Sequence, residues 1–273
     1  MKRVHPAATW PESWRRSFEY DRLEIYGEAH HRGYAYSYRV RRRHALELVR
    51  KAVRPPARVL DVAAAQGNFS LTLADEGYQV TWNDLRDELA GYVRLKDGQD
   101  RLRFAPGDVL TLGFPEPFDA VLATEVIEHV AHPDRFLRRL ASLVPPGGHI
   151  VLTTPNGGYF RNRLPRFSDC ADPSAFEAHQ FRPDADGHIF LLEDDELHEL
   201  ARGAGLRVRD VRLFATPLTC GHLRSERLLR WLPARAVLGV ERLAGTLPWS
   251  WRRRVCVGLA AWLERPAHSA GAS

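Results

Sequence analysis

Two carboxylates and an imidazole occur together in the segment Glu125-Val126-Ile127-Glu128-His129. Residues three and four positions apart share one face of a helical turn, so these three side chains can converge. Such a group suits either a histidine base oriented by acids or a set of ligands for a divalent metal. A third alternative is that the glutamates only hold a loop while His129 packs. Glu125, Glu128 and His129 are therefore the candidate catalytic residues.

A second chemical group follows the apolar run at 58–62. Asp61 is succeeded by the small residues Ala63, Ala65 and Gly67 and then by an apolar pattern at helical spacing. In an open α/β sheet the ligand lies beyond the carboxyl ends of the strands. Asp61 would repel a pyrophosphate there, but it can receive an ammonium group or hold the loop. We expect mainly ordinary φ values in this loop, with Gly67 at its most demanding position.

Two further acids follow the next two predicted strands. Asp84 comes after the strand at 78–82, where its carboxylate can accept both hydroxyls of a ribose. Asp108 comes after the strand at 102–105 and can accept the amino group of an adenine. Leu85 and Val109 supply apolar faces for the ring. These residues predict a ligand with a nucleoside end and an amino-acid end.

The elements that must position these residues alternate along the chain. Strand-like runs at 58–62, 78–82, 102–105, 118–123, 149–154 and 206–213 are separated by helical patterns at 69–76, 86–96, 134–143 and 193–204. This alternation predicts an α/β fold, a Rossmann-like doubly wound and mostly parallel sheet with helices on both faces. A helix at 34–53 with a basic centre is expected to cover the sheet edge or the site.

The chain divides into three predicted segments. These are an N-terminal helical segment at 1–54, a central domain at 55–216 with an insertion at 156–192, and a basic amphipathic helical extension at 217–273. Residues 202–265 hold 13 arginines against 4 acids, although the whole chain has a net charge of only +5. This imbalance indicates either a solvated basic face or an anionic partner near the extension.

In this order the motifs resemble those of the class I S-adenosylmethionine-dependent methyltransferases. The likeness covers about residues 55–213 and includes Gly107-Asp108, FDAVLATEVIEHV and PPGGHIVLTTPN. The family has glycines where this chain has Ala63 and Ala65. The resemblance implies S-adenosylmethionine as cofactor. It implies cofactor contacts from Asp61, Ala63, Ala65, Gly67, Asp84, Leu85, Asp108, Val109 and Glu125.

The EVIEH segment is similar to that of a subset containing the ubiquinone-biosynthesis O-methyltransferases and the small-RNA 3′-terminal 2′-O-methyltransferases. In the RNA enzymes the two acids and the histidine hold a divalent cation together with a later histidine. His188 is the candidate for that ligand, while His179 in the same insertion suits substrate binding equally well. The resemblance thus implies a site for Mg²⁺ or Mn²⁺ made by Glu125, Glu128, His129 and His188.

We expect an enzyme that methylates a hydroxyl of a small-molecule or lipid-linked acceptor. An RNA 3′ end is the second acceptor hypothesis, since the insertion carries aromatic and basic residues between Tyr159 and Phe167 but is acidic further on. A peripheral membrane-associated, methyltransferase-like binding protein is the third. It would use the extension's Trp231, Trp249, Trp251 and Trp262 with the arginines at 252–254.

The cysteines and the hydropathy pattern bear on the cellular compartment. Cys170, Cys220 and Cys256 have neither metal-type spacing nor the even number of a disulfide framework. The start of the chain has no apolar core typical of a signal peptide, and the apolar run at 255–263 is shorter than a bilayer span. A reducing, cytoplasmic setting is expected. If the protein is the membrane-associated binding protein of the third hypothesis, it would also attach peripherally to a membrane.

Overall fold

A single sheet of seven strands forms the centre of the computed structural model, which describes residues 1–28, 31–180 and 187–267. The strand order is β3-β2-β1-β4-β5-β7-β6, and β1 to β5 pair in parallel wherever they are neighbours. The strands are β1 Arg58–Val62, β2 Gln79–Trp82, β3 Arg103–Phe104, β4 Ala120–Thr124, β5 His149–Pro155, β6 Arg207–Phe214 and β7 Gly258–Glu264. The mostly parallel α/β sheet predicted from the sequence is confirmed.

Helices cover both faces of the sheet. In chain order they are α1 Glu12–Glu24, α2 Arg32–Ala52, α3 Asn68–Asp75, α4 Leu89–Asp97, α5 Pro133–Ser142, α6 Asp194–Gly203, α7 Glu226–Leu229, α8 Ala234–Ala244 and α9 Trp249–Val255. Successive strand residues point to opposite faces, so each central strand supplies two cores. Leu60 and Val121 pack with α5 and α6, whereas Val59 and Leu122 pack with α2, α3 and α4.

The end of the chain differs from the prediction. A basic amphipathic helical extension was expected at 217–273, and the helices α7, α8 and α9 are present there, but β7 also belongs to it, lies between β5 and β6 and runs antiparallel to both. Its residues are almost all buried, because helices cover both faces of an interior strand. A short continuous apolar run of this kind cannot be assigned to strand or helix by periodicity alone. The extension therefore returns to the sheet, and its residues 268–273 lie outside the described part of the chain.

The N-terminal helices are fastened to the central domain by buried groups. The Lys96 ammonium in α4 donates to Asp21 in α1 at 2.6 Å, and both side chains are 0% exposed. Tyr92 donates to the same carboxylate at 2.6 Å. These contacts hold α1 beside the carboxyl ends of the strands. No helix within the described residues is both long and apolar enough to cross a membrane.

Candidate functional site

A cavity of about 630 Å³ opens at the carboxyl ends of β1, β2 and β4, the edge where the sequence predicts ligand binding. Its volume is in the range of small-molecule sites. The predicted site residues that line it are Ala63, Ala65, Asp84, Leu85, Asp108, Val109, Glu125, His129 and His188. Asp61, Gly67 and Glu128 lie behind the lining. The tertiary structure thus brings most of the predicted residues to one place.

The loop between β1 and α3 corrects the prediction of ordinary backbone angles. Ala63 has a φ of 51° and Ala65 a φ of 46°, so both alanines are left-handed, as is Gly67 at 70°. The left-handed conformation costs a non-glycine residue about 1–2 kcal/mol, because its Cβ crowds the backbone. The alanines therefore store strain beside the cavity.

Replacing Ala63 or Ala65 by glycine should raise the free energy of unfolding by about 0.5–1 kcal/mol each, because the relief of strain exceeds the entropy added to the unfolded chain. The matched Gly67→Ala variant should lose about 1–3 kcal/mol, since a Cβ there would lie 2.8 Å from Val93 Cγ1. Urea denaturation measures all three. This account of the loop would be contradicted if Ala63→Gly and Ala65→Gly destabilised the protein as much as Gly67→Ala does.

Asp61 lies beneath the loop and ties β1 to α3. Its carboxylate is 1% exposed and accepts the Ser70 hydroxyl at 2.5 Å. Burial raises the pKa of Asp61 to about 7, against the lowering effect of the Ser70 hydrogen bonds. Within the described residues its Oδ1 has no hydrogen-bond partner. Asp61 thus holds the start of α3, and its predicted contact with an ammonium group stays a prediction.

Asp84 is buried at the end of β2 and accepts four hydrogen bonds. One comes from the Ala65 amide at 2.9 Å and holds the loop between β1 and α3, and one comes from the Arg86 amide at 3.0 Å in the turn after β2. The other two come from the Arg86 guanidinium, at 2.9 and 3.2 Å. The Arg86 side chain is 54% exposed, so the two hydroxyls of a ribose can replace its bonds while the backbone bonds remain.

The adenine end of the predicted site lies around Asp108. Its Oδ1 accepts the amide of Leu110 at 2.9 Å, which fixes the carboxylate at the cavity edge. Leu85 and Leu110 are 49% and 37% exposed. Apolar side chains left this open at a cavity rim are suited to the faces of an aromatic base.

Glu125 lines the cavity and has a left-handed backbone, φ 55°. One carboxylate oxygen pairs with Arg41 Nη1 of α2 at 3.0 Å, and the other accepts the Thr153 hydroxyl at 2.9 Å. The predicted basic helix therefore does cover the site. Glu125 faces this arginine and lies outside the group formed by Glu128, His129 and His188, so three of the four predicted metal ligands converge.

Glu128, His129 and His188 have potential ligand atoms within 4.8 Å of one another. The ring centroids of the two histidines are 4.8 Å apart, and His129 Nε2 lies 3.9 Å from Glu128 Oε1. Glu128 is fully buried, and its Oε2 accepts the Thr154 hydroxyl at 3.0 Å. Among the described residues no hydrogen bond reaches its Oε1. Burial, and then the charge of Glu125, raise the pKa of Glu128 well above its ordinary value.

The predicted alternative His179 lies elsewhere. It is exposed at the end of the 3-10 turn Pro173–His179 and does not line the cavity. His188 instead reaches the site because the neighbouring Ile189 amide donates to the Glu128 carbonyl at 2.7 Å. Residues 181–186 of the insertion lie outside the described part of the chain.

α1 contributes residues to the cavity that were not predicted from the sequence. Glu24 is buried there and accepts hydrogen bonds from Tyr34 at 2.6 Å, Gln66 at 2.7 Å and Asn68 at 2.8 Å. Burial raises its pKa, although these hydrogen bonds and Arg41 oppose the effect. The network joins both N-terminal helices to the loop between β1 and α3 and to the start of α3. Its partners are far apart in the chain, so no local spacing indicates it.

Comparison with known proteins agrees with this geometry. Residues 29–211 match the family model described as a methyltransferase domain. The ubiquinone biosynthesis O-methyltransferase of Xanthomonas campestris pv. campestris (strain B100) is 34% identical over 179 residues, which are 62% of this chain and 72% of that protein. The demethylmenaquinone methyltransferase of Deinococcus radiodurans is 30% identical over 170 residues, 56% of this chain and 69% of that protein.

Solved structures share the fold at lower identity. The N-methyltransferase NodS from Bradyrhizobium japonicum, in complex with S-adenosyl-L-homocysteine, has a TM-score of 0.52 and 15% identity, covering 84% of this chain and 87% of NodS. The [4+2]-cyclase SpnF has a TM-score of 0.55 and 18% identity, covering 83% and 81%. These likenesses show the fold alone. From the family match, the close relatives and the sheet with its cavity, it follows that the chain belongs to the methyltransferase domain family and is a class I S-adenosylmethionine-dependent methyltransferase.

Proposed function

We propose that the protein methylates a hydroxyl oxygen of a small-molecule or lipid-linked acceptor. The observation that carries the proposal is that a single cavity holds both kinds of group. Asp84 and Asp108 line the part that suits a nucleoside, and His129 and His188 line another part. The relatives named as ubiquinone biosynthesis O-methyltransferases support oxygen as the atom methylated.

The sulfonium of bound S-adenosylmethionine supplies a methyl group that is already labile. The acceptor oxygen forms the new C–O bond as the S–C bond breaks, and the hydroxyl proton must leave. His129 lines the cavity next to the buried Glu128 and is the base that takes this proton. Arg41 and Thr153 hold Glu125 in place, which fixes the cavity wall against which the acceptor is aligned.

A divalent cation on Glu128, His129 and His188 is the alternative means of activating the hydroxyl. The donor set fits, because a buried carboxylate oxygen without a hydrogen-bond partner among the described residues lies beside two imidazoles. A bound cation would polarise the hydroxyl. The raised pKa of Glu128 implies that metal affinity increases with pH, because the carboxyl must lose its proton to bind.

An RNA acceptor has less support from the contacts of the insertion. Tyr159 is only 8% exposed and lies against His222, with their ring centroids 5.7 Å apart. Arg166 pairs with Asp195 at 2.8 Å and with Glu196 at 3.5 Å. Both side chains are therefore engaged within the fold, which leaves less of the insertion for stacking bases or binding phosphates.

We expect the wild-type protein to transfer labelled methyl from S-adenosylmethionine to hydroxylated precursors of ubiquinone, the acceptors suggested by the relatives' names. Mass spectrometry of the product should place the methyl on oxygen. An Asp84→Asn variant should bind S-adenosylhomocysteine about 10–100-fold more weakly in calorimetry, because one charge-assisted hydrogen bond to the ribose is lost.

Asp119→Asn is the matched control. Asp119 precedes β4 at the opposite edge of the sheet, where its carboxylate accepts a hydrogen bond from the Arg58 amide. The Asp119→Asn variant should therefore bind S-adenosylhomocysteine with unchanged affinity. Undiminished binding by Asp84→Asn would contradict the assignment of the ribose site. A product methylated on nitrogen or carbon would contradict the proposed reaction.

A further inference from the structure

Short helices near the C-terminus expose large apolar side chains to solvent. Trp231 is 86% exposed, Leu243 is 70% exposed and Trp251 is 64% exposed. Such values are unusual for side chains of this size, and several occur here within one segment of the chain. We call the exposed residues of 223–254 the C-terminal surface. Its other exposed large apolar residues are Leu223, Leu228, Val240, Leu247 and Trp249.

The packing of α7 and α8 orients this surface. Leu229 of α7 and Val237 of α8 are fully buried in one cluster with Tyr36 of α2. Both helices therefore turn one side toward the same point of the domain, and their exposed residues lie on the sides that face away from it. Within α8, Val240 and Leu243 are three positions apart and share one exposed face, and the exposed Leu247 follows shortly after the helix ends.

The charge of the C-terminal surface is almost entirely positive. Residues 223–254 contain eight arginines and two acids, a difference of 8 − 2 = +6. Both acids are used inside the fold. Glu226 accepts the amides of Arg32 and Gly33 at 2.8 Å, and Glu241 accepts the amides of Ala215 at 3.0 Å and Thr216 at 2.7 Å.

Most arginines of the C-terminal surface are exposed and have no acidic partner among the described residues. Arg252 and Arg253 are engaged with the Leu213 carbonyl and with Glu193. The six others are exposed, and no ion pair among the described residues involves them. They are Arg224, Arg227, Arg230, Arg235, Arg242 and Arg254. Indole rings and aliphatic side chains interleaved with uncompensated arginines are the composition that suits the headgroup layer of a membrane.

We propose that the C-terminal surface docks the protein on a bilayer rich in anionic phospholipids. The arginines complement the lipid charge, each contributing about 1 kcal/mol near the membrane, while the exposed tryptophans enter the headgroup region. Trp262, which the sequence analysis grouped with them, is excluded, because it lies in β7 and its Nε1 contacts His149 at 3.2 Å.

Docking would bring the methyltransferase to lipid-linked acceptors, a consequence that rests on the proposed function. Lipid binding itself needs neither cofactor nor turnover. A failure of docking can therefore be told apart from a failure of methyl transfer, since S-adenosylhomocysteine binding is measured separately in the absence of vesicles.

The test is sedimentation of the full chain with sucrose-loaded vesicles. We expect vesicles containing phosphatidylglycerol to bind at least about tenfold more protein than pure phosphatidylcholine vesicles, and high salt to reverse the difference. An Arg227→Glu, Arg230→Glu variant should lose about tenfold or more in binding, and a Trp231→Ser, Leu243→Ser variant should also bind less.

An Arg135→Glu, Leu95→Ser variant is the matched control, because both residues are exposed on helices of the central domain. All variants should bind S-adenosylhomocysteine as the wild type does. Equal sedimentation with both kinds of vesicle would overturn the proposal, as would an equal loss in the control variant. Preferential binding of an RNA oligonucleotide, or self-association through this surface in place of lipid binding, would also overturn it.

Discussion

Replacing His129 by alanine should lower kcat by about 10²–10⁴-fold while S-adenosylhomocysteine binds unchanged. The loss in kcat has the size expected for removing one general base. We expect the affinity for S-adenosylhomocysteine to stay unchanged because of where the His129 side chain lies. His129 lines the cavity beside Glu128 and His188, whereas the predicted nucleoside contacts come from Asp84 and Asp108. Calorimetry with the product and single-turnover methyl transfer measure the two effects separately.

His132→Ala is the matched control for this variant. His132 lies three residues further along the chain and contacts Glu177 at 2.8 Å, and it does not line the cavity. Its replacement should leave kcat near the wild-type value. Full activity of His129→Ala, or an equal loss in both variants, would refute the catalytic role of His129.

Measurements on the same site separate a metal-assisted mechanism from one in which His129 acts alone as the base. With a metal, EDTA should abolish turnover, and His188→Ala should have the same effect as Glu128→Gln, because each removes one ligand of the same ion. Electron paramagnetic resonance should then show Mn²⁺ bound by the wild type and released by either variant. If His129 acts alone, EDTA is harmless, no Mn²⁺ is bound and His188→Ala is mild.

Replacing Lys96 by methionine should lower the free energy of unfolding by about 3–5 kcal/mol. Methionine keeps much of the side-chain volume, but it leaves Asp21 buried without its cationic partner. It also removes the hydrogen bonds to the Gln66 carbonyl at 2.8 Å and to Asn68 Oδ1 at 2.6 Å, which join α4 to the loop between β1 and α3 and to the start of α3. Chemical denaturation measures the loss.

Two comparisons make this prediction specific to the buried pair. Lys51→Met removes an exposed lysine that contacts Asp210 at 3.3 Å and should cost about 1 kcal/mol or less. The double variant Asp21→Asn, Lys96→Met should lose less than the sum of the single variants, because the two residues interact. Strict additivity, or a small loss for Lys96→Met, would contradict the view that this pair fastens α1.

Loosening α1 should also weaken cofactor binding. Asp21 and Glu24 both accept hydrogen bonds from Asn68, the first residue of α3, and Glu24 also binds Gln66 of the loop. The loop that forms one wall of the cavity is therefore braced by α1, which lies beside the same cavity. A site held by such support loses affinity when the support is removed, even though no ligand contact changes.

Local patterns in the sequence were sufficient for the sheet and for most of the site. Alternation of apolar runs and helical periodicities predicts parallel strands, and parallel strands carry their ligand residues at one edge. Asp84, Asp108 and His129 could therefore be placed at a common cavity without coordinates. The left-handed angles at Ala63 and Ala65 could not be predicted from the sequence, because alanine has no local preference for them.

Pairings between distant segments were decided only by the tertiary structure. Glu125 pairs with Arg41 of α2 and is not part of the group of Glu128, His129 and His188. Asp21 meets Lys96, which is 75 residues away in the chain, and β7 lies in the sheet between β5 and β6, both of which precede it in the chain. Sequence periodicity records which face of each element is buried. Which buried or charged group meets another depends on how the elements pack, and that packing is a property of the whole chain.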